Sequence, residues 1–223
     1  MGHTPLYGLI GAGGFGREVM PLARAQLEPQ LSSGKARLAF VVEDDSSHTE
    51  VNGLAVISLR EFLAYPGDRH FNIAIATSKA RARIAAICEA AGARPFSIIA
   101  SNVVILDEVE IGDGAILCPF VTLLSNVRIG RFFHANIYSY VAHDSAIGDF
   151  VTFAPRVACN GRSRIEDHAY VGTGAVLREG APSAPLTVGA GAIIGMGAVV
   201  TRNVAPGLTV IGNPARPMQK NPG

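Results

Sequence analysis

Two places in the chain carry residue types set out for chemistry. The first is His143-Asp144. An imidazole titrates near neutrality, so it can take a proton from an attacking group at working pH. A carboxylate beside it can hold the ring in one orientation and one tautomer. Neighbouring side chains of a strand point to opposite faces, so the pair can meet only at a turn. The second is Gly11-x-Gly13-x-x-Gly16, with Gly14 and Phe15 inside it, set between a short apolar run and a helical pattern. Glycines there let the backbone come close to a diphosphate, and the helix N-terminus offers its N–H groups. The acidic cluster Glu43-Asp44-Asp45 ends the next apolar run, the place where dinucleotide-binding folds set an acidic residue on a ribose hydroxyl.

The elements that must position these residues fall into two halves. The first hundred residues alternate strand and helix. Tyr7–Ile10, Leu38–Val42 and Phe71–Ala76 read as strands, and Glu18–Leu27 and Ala80–Ala91 read as helices. That alternation predicts a small Rossmann-like α/β domain with a parallel sheet over residues 1–100. About 100 residues are too few for the usual six-stranded dinucleotide fold, which argues against an NAD-dependent oxidoreductase.

From residue 101 to 223 the period changes. Stepping by six from Ile105 gives Ile111, Leu117, Leu123, Ile129, Ala135, Val141, Ile147, Phe153, Cys159, Ile165, Val171 and Leu177, all apolar. With half of residues apolar, chance gives such a run about once in ten thousand. The step resumes at Val188, Ile194 and Val200. Most positions two before a step are small or aliphatic, among them Ala115, Val121, Ser139, Ser145 and Ala175. Several units open aliphatic-Gly, as in Ile129-Gly130 and Ile147-Gly148. A period of six is the hexapeptide repeat of a parallel β-helix, with three hexads to a coil of 18 residues. Arg178–Thr187 interrupts the repeat as a Pro/Gly-rich loop, which either shapes a ligand groove or is a tolerated surface insertion. In this phase His143 falls at an outward corner, and Gly161 lies one coil later at the same corner. An outward His can also be merely solvated, Asp144 a turn residue, and Gly161 a corner that needs its conformational freedom.

Composition narrows the field. The 223 residues carry a formal net charge of +1 with 17% charged residues, unlike a nucleic-acid binder with its basic stripe. No stretch is long and apolar enough for a membrane span, and no secretory signal opens the chain. Three scattered cysteines, Cys88, Cys118 and Cys159, read as reduced thiols, so the expectation is a soluble cytoplasmic protein. His134 and His168 invite a zinc reading, but their spacing from His143 does not bring three imidazoles to matching corners, and no metal is expected. His134, in an outward phase, is expected at a subunit interface.

The sequence resembles the two-domain hexapeptide-repeat sugar acyltransferases related to the sialic acid O-acetyltransferase and bacillosamine N-acetyltransferase proteins. The likeness is carried by Gly11–Gly16, Val42–Asp45, the helix around Arg81–Ala91, His143-Asp144-Ser145-Ala146-Ile147-Gly148-Asp149-Phe150 and Ile211-Gly212-Asn213-Pro214-Ala215-Arg216. It implies a left-handed β-helix and a homotrimer with sites between protomers. The donor would be acetyl-CoA and the acceptor a nucleotide-activated sugar held by the first domain, with its diphosphate at Gly11, Gly13, Gly14, Phe15 and Gly16 and its base and ribose near Asp44 and Asp45. His143 would be the base, Asp144 its orienter, Gly161 an oxyanion donor that also contacts CoA, and Asn136 a neighbour of the base. Arg216 and Lys220 would meet CoA phosphates, with Arg178 and Arg202 as weaker candidates. Two departures stand out: Thr152 occupies the place of a second His found in some members, and Phe15 that of a polar residue. An amino acceptor is the leading reading; acylation of a sugar hydroxyl and a non-catalytic nucleotide-sugar-binding trimer are its rivals.

Overall fold

The computed structural model describes residues 3–43 and 49–218, and the chain divides into two compact units. The first comprises residues 1–99 together with 113–116. Its strands are β1 (Leu6–Ile10), β2 (Arg37–Val42), β3 (Glu50–Val51), β4 (Leu54–Ser58), β5 (Arg69–Ile73) and β6 (Arg94–Pro95), in the sheet order β3-β4-β2-β1-β5-β6. All pairings are parallel except β3 with β4. The helices are α1 (Gly14–Ser32), α2 (Leu59–Ala64) and α3 (Ser78–Ala90). The core is formed by Leu9, Ile10, Phe40, Val41, Phe62, Phe71, Ile73 and Ile84, all fully buried. The short elements escape the periodicity: β3 and β4 turn on Asn52-Gly53, both at positive φ as a tight hairpin turn needs. The α2 helix starts on a capping box in which Ser58 and Glu61 bond each other's backbone. The sheet therefore reaches six strands within about a hundred residues, contrary to expectation, because β3 and β6 are two residues each.

The second unit, residues 100–112 and 117–223, is a left-handed parallel β-helix. Its strands are two or three residues long and stack in three sheets. Each residue pairs with the one 18 later, as Tyr140 with Ala158 and Val141 with Cys159. Past the loop at 178–187 the register becomes 23, with Ser163 opposite Leu186. The step residues from Leu117 to Leu177 are all buried, and so are the residues two before them. Ile105, in the first coil, is exposed. The interior is wider than small side chains alone require, since Phe133 and Phe153 meet edge to face inside it at 5.1 Å.

The corners hold a conformational surprise. A residue with φ near +60° recurs every six positions from Glu108 to Gly174, and ten of these twelve are not glycine. Each non-glycine costs about 1–2 kcal/mol in this region. Side chains stacked from coil to coil offset that cost: Phe132 on Phe150 at 5.2 Å, Phe150 on His168 at 5.3 Å, and Phe120 on Tyr138 at 4.8 Å. The aliphatic-Gly pairs answer a different need. A Cβ on Gly148 would lie 2.7 Å from the Asp167 nitrogen, so glycine lets successive coils close up. Aspartates at this corner accept the N–H of the neighbouring coil, as Asp149 does from Arg131 at 2.7 Å and Asp167 from Asp149 at 2.8 Å. The last turn of chain covers the final coil. Val204 bridges Val188, Thr209–Ile211 pairs with Ile193–Ile194, Ala215 donates to the Val199 carbonyl, and Arg216–Pro217 runs back antiparallel to Thr209–Ile211.

Candidate active site

The corner after the strand Tyr140–Val141 brings His143 and Asp144 together. Asp144 takes φ +57°, which turns its side chain back so that Oδ2 lies 2.9 Å from His143 Nδ1. The hydrogen bond from His143 holds the Asp144 carboxyl below the usual carboxylate range; partial burial opposes this, and Asn126 and Arg162 reinforce it. Asn126 donates to Asp144 Oδ1 at 3.3 Å, and an Arg162 nitrogen stands 3.7 Å from Oδ2. Asn126, Asp144 and Arg162 are one column, each a coil apart.

The adjacent column is His143, Gly161 and Glu179. A Cβ on Gly161 would sit 2.6 Å from both Cε1 and Nε2 of His143, so the imidazole lies against a position where only glycine leaves it room. Gly161 does not have positive φ, so the glycine serves this close approach and not the turn. Among the described residues its N–H has no hydrogen-bond partner, while those of Asn160 and Arg162 beside it are bonded. Glu179 Oε1 stands 3.7 Å from His143 Nε2 and is ion-paired with Arg162. A cleft of about 750 Å³ runs beside this corner, lined in part by Asn126, Arg128, Asp144, Arg162, Arg164 and Pro182.

Sequence reasoning missed Asn126, Arg162 and Glu179, although each was reachable by counting coils of 18 from His143 or Asp144. Asn136 is not brought into this cluster within the chain. It lies at the preceding corner, after His134–Ala135, where its side chain donates to the Phe153 carbonyl at 3.3 Å. His134 is also corrected: it is 1% exposed, as its strand partner Thr152 is buried, and lies within the chain instead of on an interface. His168 is held in the stack on Phe150.

In the first unit, Gly11 adopts φ +110°, and a Cβ on Gly16 would fall 1.8 Å from the Gly11 carbonyl oxygen, so these two glycines close the turn into α1. Gly13 and Gly14 face open space, and no side chain caps the helix start. Phe15 is half-buried at that start. The fully buried Arg81 donates to the carbonyls of Ile75 and Ala76 at 2.9 and 3.0 Å, tying α3 to the segment after β5; burial lowers its pKa to about 10, so it remains charged at neutral pH. Glu43 pairs with Arg83, while Asp44, Asp45 and Lys220 lie outside the described residues. Arg216 is exposed and its side chain donates to the carbonyl of Ala215, and Arg178 donates to Thr201 and Glu179 carbonyls. Burial pushes the thiols of Cys88 and Cys159 up to about 12, which leaves them unreactive. Among the described residues no group of side chains is placed to hold a metal ion, and no helix is long and apolar enough to cross a membrane.

Residues 8–87 match the family model of the PglD N-terminal domain. Over 218 residues the chain is 52% identical to GDP-perosamine N-acetyltransferase from Escherichia coli O157:H7, covering 97% of this chain and 98% of that protein. Among solved structures, WeeI from Acinetobacter baumannii AYE superposes with a TM-score of 0.91 at 52% identity, over 96% of this chain and all of that one. The acetyltransferase domain of PglB from Neisseria gonorrhoeae FA1090, in complex with acetyl coenzyme A, gives a TM-score of 0.83 at 29% identity, over 97% of this chain and all of that one. With a hexapeptide solenoid, a Rossmann-like first unit and likeness along nearly its whole length, the chain belongs to the two-domain hexapeptide-repeat sugar acetyltransferases.

Proposed function

We propose that the protein transfers the acetyl group of acetyl-CoA to the amino group of a nucleotide-linked amino sugar, and that GDP-perosamine, or a close GDP-linked relative of it, is that sugar. The observation that carries the chemistry is the His143–Asp144 pair seated over Gly161. With Nδ1–H donated to Asp144, Nε2 keeps its lone pair. The neutral amine attacks the thioester carbon and its proton passes to Nε2. The tetrahedral oxyanion is met by the unpaired Gly161 N–H, a donor already in place before charge develops. The C–S bond then breaks, and the imidazolium returns the proton to the departing thiolate, leaving an amide and free CoA thiol. The identity of the 52% relative over almost its full length supports an amine over a hydroxyl acceptor.

In this reading the first domain, residues 1–100, holds the nucleotide, with its diphosphate at the open Gly13–Gly14 start of α1, and the solenoid domain, residues 101–223, carries the transfer. The protein works as a homotrimer in the cytoplasm, where acetyl-CoA is available. What supports the trimer is the corner that bears Asn136: Phe120 and Tyr138, stacked there, are 51% and 56% exposed, beside the exposed Ile137. A partner packed on that apolar corner would bring one protomer's Asn136 to its partner's His143, which reconciles the two. Arg216 and Lys220 are held as contacts for CoA phosphates.

Thiol release measured with acetyl-CoA and GDP-, UDP- and dTDP-linked amino sugars tests this. GDP-perosamine should be turned over fastest, and His143→Ala should lower kcat by about 10²–10⁴. No thiol release with any acceptor would overturn the reading; full activity of the His143 variant would overturn the base assignment alone.

A further inference from the structure

Glu179 stands in the His143 column two coils on, at the second residue of the inserted loop, and the reaction as written gives it nothing to do. Its Oε1 is 3.7 Å from Nε2, the one imidazole nitrogen that Asp144 leaves free. At that distance the two atoms do not bond each other, and with the ring proton on Nδ1 both are acceptors. The backbone that carries the carboxylate is tied down, and the carboxylate itself meets Arg162. Gly180 N–H donates to the Gly161 carbonyl at 2.9 Å, and Arg178 donates to the carbonyls of Thr201 at 2.8 Å and Glu179 at 2.6 Å. Arg162 pairs with Glu179 and, across it, approaches Asp144.

Two acceptors 3.7 Å apart leave a place for one donor nitrogen about 3 Å from each. Resting on the amine-acetylation reading, we propose that His143 Nε2 and Glu179 form a two-acceptor cradle that selects an amine over a hydroxyl. A neutral amine has two hydrogens, one for each acceptor. When it attacks the thioester carbon its nitrogen becomes positively charged, and the bond to Glu179 strengthens at that moment. Nε2 removes one proton, and the product amide keeps the other hydrogen on Glu179. A hydroxyl has a single hydrogen. Given to Nε2, it leaves Glu179 facing the lone pairs of the hydroxyl oxygen, so the site rejects the oxygen analogue by an unpaired acceptor, a strong form of discrimination. The inserted loop thus determines specificity by bringing this carboxylate to the base.

The test uses the full-length protein, Glu179→Gln and Glu179→Ala, with GDP-perosamine and the same GDP-sugar carrying a hydroxyl in place of the amine. Steady-state kcat and KM with acetyl-CoA, and calorimetric affinity for each sugar in the presence of CoA, are the readouts. The wild type should bind the amine at least tenfold more tightly than the hydroxyl analogue. Glu179→Ala should bring the two within about twofold and lower kcat/KM for the amine at least tenfold, with an unchanged melting temperature, since the side chain is 51% exposed. Glu179→Gln, which keeps one acceptor oxygen, should fall between. The cradle is overturned if Glu179→Ala keeps the amine preference, or if amine and hydroxyl sugars lose equally, as they would if Glu179 only braced the loop. Failure of the functional reading looks different: the wild type itself then releases no thiol with any amino sugar. Equal wild-type affinity for the two sugars overturns the cradle in either case.

Discussion

At the scale of single residues, the site is a matter of columns. His143 and Asp144 are adjacent in sequence and legible there, because their types alone suggest a base and its orienter. What makes them touch is the left-handed backbone at Asp144, a conformation that aspartate tolerates better than most residues but that its type alone does not require. Gly161 is likewise legible by counting, yet its purpose is not: the missing Cβ makes space for a ring from the previous coil, while its φ is ordinary. A methyl group is therefore a sharp probe. Gly161→Ala should force the imidazole away from Asp144 and cut kcat by on the order of 10²-fold, as a displacement of about 1 Å at a reacting group does. A kinetic and melting comparison checks it: unchanged kcat would mean that the ring does not rest on Gly161 during turnover.

At the scale of elements, the hexad step foretells the solenoid because every coil must bury the same two positions. The same step is silent on how the corners turn. Composition suggests glycine corners, but ten non-glycine residues take the left-handed conformation, several of them against side chains a full coil away. Such pairing is invisible in a local window. The β3–β4 hairpin was missed for another reason, since the two-residue β3 carries no measurable period even where Asn52-Gly53 marks the turn into β4. The glycines that matter most to the stack are those that let coils approach. Gly148→Ala places a Cβ 2.7 Å from the Asp167 nitrogen, and the coils must separate locally. The expected cost is about 1–3 kcal/mol, seen as a fall of several degrees in melting temperature by calorimetry. A variant as stable as the wild type would show that this spacing has slack.

At the scale of the molecule, the proposed trimer would account both for the distance of Asn136 from the site within one chain and for the apolar corner beside it. Tyr138→Glu sets a charge on that corner, where a monomer would accept it readily and a trimer would not. Sedimentation should show a single-chain mass, and acetyl transfer should fall in step with the loss of trimer. A trimer that forms and works unchanged would assign the interface elsewhere. None of this was readable from spacing, because a repeat describes what a coil does for its neighbours along the axis and says nothing of which outer face meets another chain.

The covered final coil has a consequence of its own. A stack of short parallel strands is, in geometry, a fibril that has been told to stop: each coil presents to the next the same ladder of N–H and carbonyl groups that a growing fibre would recruit. By laying Val204, Thr209–Ile211 and Ala215 along the three last edges and then reversing direction at Arg216–Pro217, the chain spends its final turn withholding that template. At this end of the stack the segment thereby leaves no open ladder for a second molecule to extend, whatever ligand its arginine meets.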